Sequence, residues 1–343
     1  MVLHPAVTIR YVVFVSSRPY ELPVTPVLRW NRGGTAGPGA GGWPACSPGW
    51  AGTSKTAAKP PPAGGCEDGP PPSLKEGAGL LDYHVHSQHS VDAEGDVRDH
   101  CRQAVKQGLL DLGFSDHLDF DPRDAGYGFL SLDRYLDDVA RCREEYAGRL
   151  HVRCGLEVGE LHRYWPQVSR VLQKSAGRLD FVIGSVHWYG GTLLGGDRYR
   201  ALTPRARYAP YFAEVLALVD HGGFQILGHL DLVSRYPIPG SPPVPEEHQE
   251  EIRAILGAML RHGIVPEINV SGIRHGICSF LPPRPVLEWY RELGGNIVAL
   301  GSDAHGPASV GAMIPQAVRL ARDLGFGYLA RFERLELSPL PLT

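Results

Sequence analysis

The sequence predicts an α/β protein whose main domain is a parallel β/α barrel, preceded by a low-complexity extension. Three observations carry this. Apolar runs and amphipathic stretches alternate about seven times between residue 80 and the C-terminus. Residues 1–79 are instead about a third Gly and Pro. Reactive side chains gather where the apolar runs end, which is the functional rim of such a barrel.

The extension holds 13 Pro and 13 Gly, including Gly37-Pro38-Gly39-Ala40-Gly41-Gly42 and Lys59-Pro60-Pro61-Pro62. Such stretches sustain neither a helix nor a central strand. Residues 1–79 are expected to be disordered, or to lie upstream of the true translation start. Residues 80–343 form the expected barrel domain.

Composition narrows the function classes. The net charge of −3 and the lack of a Lys/Arg run argue against a non-specific nucleic-acid groove. The six cysteines form no Cys-x-x-Cys pair, so a zinc ribbon is not expected and reduced thiols in the cytoplasm are. No apolar run reaches the roughly 20 residues needed to cross a bilayer. The apolar run 7–15, broken by Arg10, makes a poor signal peptide.

The strands follow in order. They are expected at 81–86, 109–114, 150–157, 180–186, 224–228, 264–270 and 297–301. Helical patterns lie between them at 96–107, 132–146, 204–219, 246–261 and 285–293. A helix over 311–324 and a short strand over 328–332 close the chain. Glycines at 108, 263 and 294 stand where helices should stop.

The strand ends carry the chemistry. The first ends Asp82-Tyr83-His84-Val85-His86, and side chains two apart share a strand face, so His84 and His86 can reach one ion. The second runs into Ser115-Asp116-His117. The third ends at Glu157, the fourth at His187, the fifth at Gly228-His229-Leu230-Asp231, and the last at Ser302-Asp303-Ala304-His305. A lone histidine after a strand is most often structural, and a lone acid there is most often a cap. Six such ends on one rim make coincidence a poor explanation. The other nine of the fifteen histidines read as ordinary surface or core residues. Mixed imidazole and carboxylate ligands suit Zn, Mn or Fe rather than an oxygen-only Ca or Mg cage. The number of candidates suits two or three divalent ions, the common arrangement for phosphate-ester hydrolysis.

These residues resemble the polymerase-and-histidinol-phosphatase (PHP) superfamily over 80–310. That resemblance implies a distorted (β/α)7 TIM-like barrel, the PHP fold, with a trinuclear metal site. Its ordered pattern is matched by His84, His86, Asp92, His117, Glu157, His187, His229, Asp303 and His305. His89 competes with Asp92 for the third position, and Asp92 has the family spacing. The resemblance groups His84, His86, Glu157 and Asp303 around one ion. Glu157 bridges to a second ion held by His187 and His229. Asp92, His117 and His305 hold a third.

Within the superfamily, Gly184-Ser185-Val186-His187-Trp188, Gly228-His229-Leu230-Asp231-Leu232 and Glu267-Ile268-Asn269-Val270-Ser271-Gly272-Ile273-Arg274 are similar to monofunctional histidinol-phosphatases. The implied reaction is hydrolysis of L-histidinol phosphate in histidine biosynthesis. A metal-bridging hydroxide is the expected nucleophile, with no side chain in that role. Arg274 and Arg235 are candidates to grip the phosphate. Asn269 and Ser271 are candidates to hydrogen-bond the substrate. Asp116 is expected to orient a ligand imidazole, and Trp188 to pack against substrate. Rival readings are a nuclease or phosphodiesterase on the same fold, and a metal-binding module without activity. The expected partner is a small phosphate ester, with no nucleic acid and no membrane. The sequence leaves the oligomeric state open.

Overall fold

The computed structural model describes residues 80–237 and 245–342, so the Gly/Pro-rich extension expected over 1–79 lies outside the described residues. The chain alternates strand and helix from the first described residue. The order is β1 (Leu80–Val85), α1 (Val97–Lys106), β2 (Leu109–Phe114), α2 (Leu132–Glu145), β3 (His151–Gly159), α3 (Trp165–Lys174) and β4 (Phe181–Ser185). It continues with α4 (Pro204–His221), β5 (Ile226–Leu227), α5 (Gln249–His262), β6 (Val265–Asn269), α6 (Arg284–Glu292), β7 (Ile297–Gly301), α7 (Ile314–Asp323), β8 (Tyr328–Leu329) and β9 (Leu340–Pro341).

Local signals explain the boundaries. Asp96 caps α1 by accepting from the Asp99 amide at 2.7 Å, and Thr203 caps α4 ahead of Pro204. Gly263 ends α5 in the left-handed conformation at φ 67°. α3 was not among the patterns singled out in the sequence, although Trp165, Val168, Val171 and Leu172 fall at helical spacing and pack on the core.

The strands from β1 to β8 pair in sequence order and in parallel; β9 turns back antiparallel onto β8. Consecutive parallel pairing with helical crossovers curls the sheet toward a barrel. The expected distortion sits at the seam between β1 and β7. No ladder runs there. One parallel bridge joins Val85 to Ala304, with the His86 amide donating to the Ala304 carbonyl at 2.8 Å. Asp82 adds two ties, accepting from the Ser302 and Gly311 amides at 2.8 and 2.9 Å. β8 pairs with the opposite end of β7, at Ile297 and Val298.

The interior is packed solid at the N-terminal end of the strands. Phe181 fills the centre with Tyr83 and Phe332 at ring distances of 5.0 and 6.4 Å. Gly113 and Gly155 leave room for it, because a Cβ at either would stand 2.8 or 2.4 Å from the Phe181 ring. Beneath the rings, Asp111 accepts from Tyr83, Arg153 and Arg331 at 3.0–3.3 Å. Among the described residues no helix is long and apolar enough to cross a membrane.

Candidate metal centre

The other end of the strands is occupied by ionisable side chains. β1 alternates inward and outward, so His84 and His86 both project to the rim, and both are fully buried. Glu157 lies at the middle of this rim on β3, 1% exposed. Its two oxygens face different neighbours. Oε2 lies 3.2 Å from His84 Nε2, 3.4 Å from His86 Nε2 and 3.1 Å from His117 Nδ1. Oε1 lies 3.3 Å from His187 Nε2 and 3.0 Å from His229 Nε2. Asp303 Oδ1 stands 3.8 and 3.6 Å from the two β1 imidazoles. Asp92 Oδ2 lies 3.2 Å from His305 Nε2 and 3.7 Å from His117 Nε2.

All nine residues singled out in the sequence thus come together at one rim. Three trios bring one ligand atom each within 4.8 Å of one another: His86 with His117 and His305, His84 with His86 and Glu157, and His117 with Glu157 and His187. His89 points elsewhere, to Asp138 on α2 at 3.0 Å, which leaves Asp92 facing the rim.

Hydrogen bonding shows which nitrogens are free for a ligand. His84 Nδ1 meets the Glu267 carboxylate at 2.8 Å, so that nitrogen carries the proton. His86 Nδ1 meets Ser90 Oγ, whose own proton goes to Asp116. The inward Nε2 atoms of both rings are buried and make no hydrogen bond. A neutral imidazole with its outer nitrogen protonated presents a lone pair inward, which is what a metal ligand requires. The donor set fits a divalent cation of the Zn, Mn or Fe type.

The electrostatics agree. Burial opposes ionisation of Glu157, yet His84, His117 and His187 hold its carboxyl well below the usual range. Burial also opposes ionisation of Asp303, and Arg235 followed by His84 overcomes it. Burial works against protonated His117 and His187, but chiefly Glu157 pushes them up to about 10 and about 9. These carboxylates draw positive charge into the rim.

The remaining candidates divide. Arg235 lines the cleft above the rim; its Nη2 donates to Asp303 Oδ2 at 2.7 Å, and its buried Nε has no partner among the described residues. Arg274 does not line the cleft. Its fork donates to the carbonyls of Ser302 and Asp303 at 2.6 and 2.8 Å, pinning a turn in which Asp303 has φ 53°. Arg274, expected to grip the phosphate, is engaged in this structure as a clamp on that backbone. Asn269 and Ser271, expected to touch substrate, are buried beneath Asp303: the Ser271 hydroxyl lies 3.0 Å from Asp303 Oδ2, and Asn269 bonds Ser271 and Glu267. Asp116 acts through Ser90 rather than on an imidazole directly. Trp188 does not face the cleft; its indole N–H holds Asp124 at 2.7 Å while the Arg123 guanidinium covers its ring.

Three acids escaped the sequence reading. Glu267 backs His84 and Asp119 and Asp124 line the cleft. An acid inside an otherwise apolar strand, as in Val265-Pro266-Glu267-Ile268, was the available sign for the first. Asp119 stands two residues beyond His117 and lines the same cleft.

Comparison with known proteins agrees with this geometry. The PHP domain family model matches residues 82–271. A probable histidinol-phosphatase of Deinococcus radiodurans is 31% identical over 271 residues, covering 76% of this chain and 99% of its own. The histidinol-phosphatase of Lactococcus lactis is 29% identical and is matched over 96% of its length. A Lactococcus lactis crystal structure of histidinol phosphate phosphatase, complexed with zinc, L-histidinol and phosphate, superposes with a TM-score of 0.67 at 28% identity, covering 76% of this chain and 98% of that one. A putative histidinol phosphatase of Listeria monocytogenes shares the fold, at a TM-score of 0.57 and 19% identity. The chain belongs to the PHP domain family, among relatives that are histidinol-phosphatases.

Proposed function

We propose that this protein is a histidinol-phosphatase, hydrolysing L-histidinol phosphate to L-histidinol and inorganic phosphate at a rim that holds two or three divalent ions of Zn, Mn or Fe. The observation that carries the reading is Glu157, whose two oxygens face separate groups of imidazoles at 3.0–3.4 Å, the arrangement of a bridging carboxylate. His84, His86 and Asp303 would complete one ion's shell, His187 and His229 a second, and Asp92, His117 and His305 a third. Bound divalent ions supply a hydroxide nucleophile at neutral pH and offset phosphate charge.

The chain's own residues then bind and orient. Arg235, with an unpartnered buried Nε at the cleft, is placed to receive a phosphate oxygen. Arg274, Ser271 and Asn269 hold the Asp303 turn rather than the substrate. The cleft measures about 290 Å³, near the lower end of small-molecule sites. Asp119, Asp124, Leu193, Leu232 and Tyr236 also line it. A phosphate ester whose alcohol bears an ammonium group and an imidazole suits this polarity. A polyanionic nucleic acid would meet the carboxylates of Asp119 and Asp124 in the cleft, which favours the small ester. The barrel from residue 80 onward is the catalytic unit in this reading, and a reducing cytoplasm is its compartment.

The test is turnover of histidinol phosphate, an aryl phosphate and a short DNA by metal-loaded and chelator-treated protein. Preferred turnover of histidinol phosphate, lost on chelation and restored by metal, is expected. Full activity after chelation, or preference for DNA, would overturn the proposal.

A further inference from the structure

We infer that Glu267 is the positioning residue that fixes ligands on both sides of Glu157. The inference rests on the metal-centre reading and adds a residue to it. Glu267 sits inside the barrel on β6, 1% exposed. Among the described residues no Lys or Arg lies within ion-pair distance of it; the ionisable group it meets is the His84 imidazole. A buried carboxylate without a cation is costly unless every oxygen is hydrogen-bonded.

Its two oxygens are divided. Oε1 takes the His84 Nδ1 proton at 2.8 Å. Oε2 accepts from the His229 backbone amide at 2.8 Å and from Asn269 Nδ2 at 3.1 Å. His84 approaches Glu157 Oε2, whereas His229 approaches Glu157 Oε1. One side chain therefore sets the ring of a ligand in the first group and the backbone of a ligand in the second. The tautomer follows: with Nδ1–H held outward, His84 Nε2 is left as an inward lone pair.

The surrounding backbone is shaped for this carboxylate. A Cβ at Gly301 would stand 1.9 Å from Glu267 Oε1 and 2.5 Å from His84 Cβ. Position 301 therefore accepts only glycine while Glu267 and His84 keep their places. Gly301 lies two residues before Asp303, so the strand that delivers Asp303 passes directly over the Glu267–His84 pair.

The experiment compares wild type with Glu267→Gln, Asn269→Ser and Arg235→Ala by zinc competition against a chelator, metal count per chain, melting of the metal-free protein, and steady-state kinetics. Glu267→Gln is near-isosteric. It should weaken zinc about 10- to 100-fold, as loss of an outer-sphere partner does, while the metal-free melting temperature stays near wild type. Asn269→Ser keeps the carboxylate and should weaken zinc less. Arg235→Ala, which also removes a hydrogen bond to Asp303, should raise KM and lower zinc affinity together. Wild-type zinc affinity and count in folded Glu267→Gln would overturn the inference. A Glu267→Gln protein that does not fold, beside an Asn269→Ser protein with unaltered zinc affinity, would also overturn it. Wild type that binds no zinc would overturn the metal-centre reading itself.

Discussion

The two ends of the barrel use charged residues in opposite ways. At the N-terminal end, Asp111 meets Arg153, Arg331 and the Tyr83 hydroxyl, and Asp180 meets Arg143 and the amides of Cys154 and Arg334. Charges there are neutralised within the chain, around a stack of Tyr83, Phe181 and Phe332. At the C-terminal end, imidazoles and carboxylates crowd together and leave buried nitrogens without partners. Charge that closes on itself stabilises the fold. Charge arranged around unmatched lone pairs is built for groups the chain does not supply.

The sharpest way to break the contrast is at the rim. His84→Ala and Asp303→Asn should each remove bound metal and lower kcat on the order of 10³-fold or more, since metal stabilisation amounts to several kcal/mol. The metal-free melting temperature should hardly change. Metal analysis, kinetics and melting check this together; a large loss of stability would show that the two ends are not separable. The converse change is Phe181→Ala. It should destabilise by about 3–5 kcal/mol in denaturant unfolding, with the metal count of the folded fraction unchanged.

Arg235→Ala sharpens the comparison within the rim. A charged hydrogen bond contributes about 1.5–3 kcal/mol, so KM should rise roughly 10- to 100-fold. Arg274→Ala should act through the Asp303 turn, lowering metal affinity more than it raises KM. Asp119→Asn should raise KM for histidinol phosphate several-fold and leave an aryl phosphate without a cationic leaving group unaffected, read from the ratio of the two kcat/KM values.

The smallest effect belongs to the partly buried Arg163–Glu214–His162 network between the β3–α3 connection and α4. Burial opposes ionisation of Glu214, but Arg163 and then His162 bring its carboxyl from 4.5 down to about 2. A depressed folded-state value adds stability above pH 4.5 that disappears as pH falls toward 2. Glu214→Gln should flatten the melting-temperature profile over that window, and an unchanged profile would remove Glu214 from the account.

The rim was legible because metal chemistry restricts residue type and strand geometry restricts position. His84 and His86 had to share a face, and Glu157 had to end a strand. Side-chain direction beyond the strands was not legible. Arg274 and Arg235 both follow barrel strands, yet the short helix Ser271–Arg274 turns one back onto carbonyls while the 3₁₀ turn Leu232–Arg235 aims the other into the cleft. The sixth strand likewise concealed Glu267, because its partners lie 183 and 38 residues away. The strand expected over 224–228 shortened to Ile226–Leu227, where Gly228 closes against Ile183 and His229 leaves the sheet.

The single bridge between Val85 and Ala304 has a consequence for how the barrel is fastened. Its two lips are the segments bearing His84 and His86 on one side and Asp303 and His305 on the other. An ion gripped by both would act as a clasp across an otherwise unzipped edge. Loading the centre and locking the cylinder would then be one event, and the same stitch that readies the chemistry would decide how freely that edge breathes.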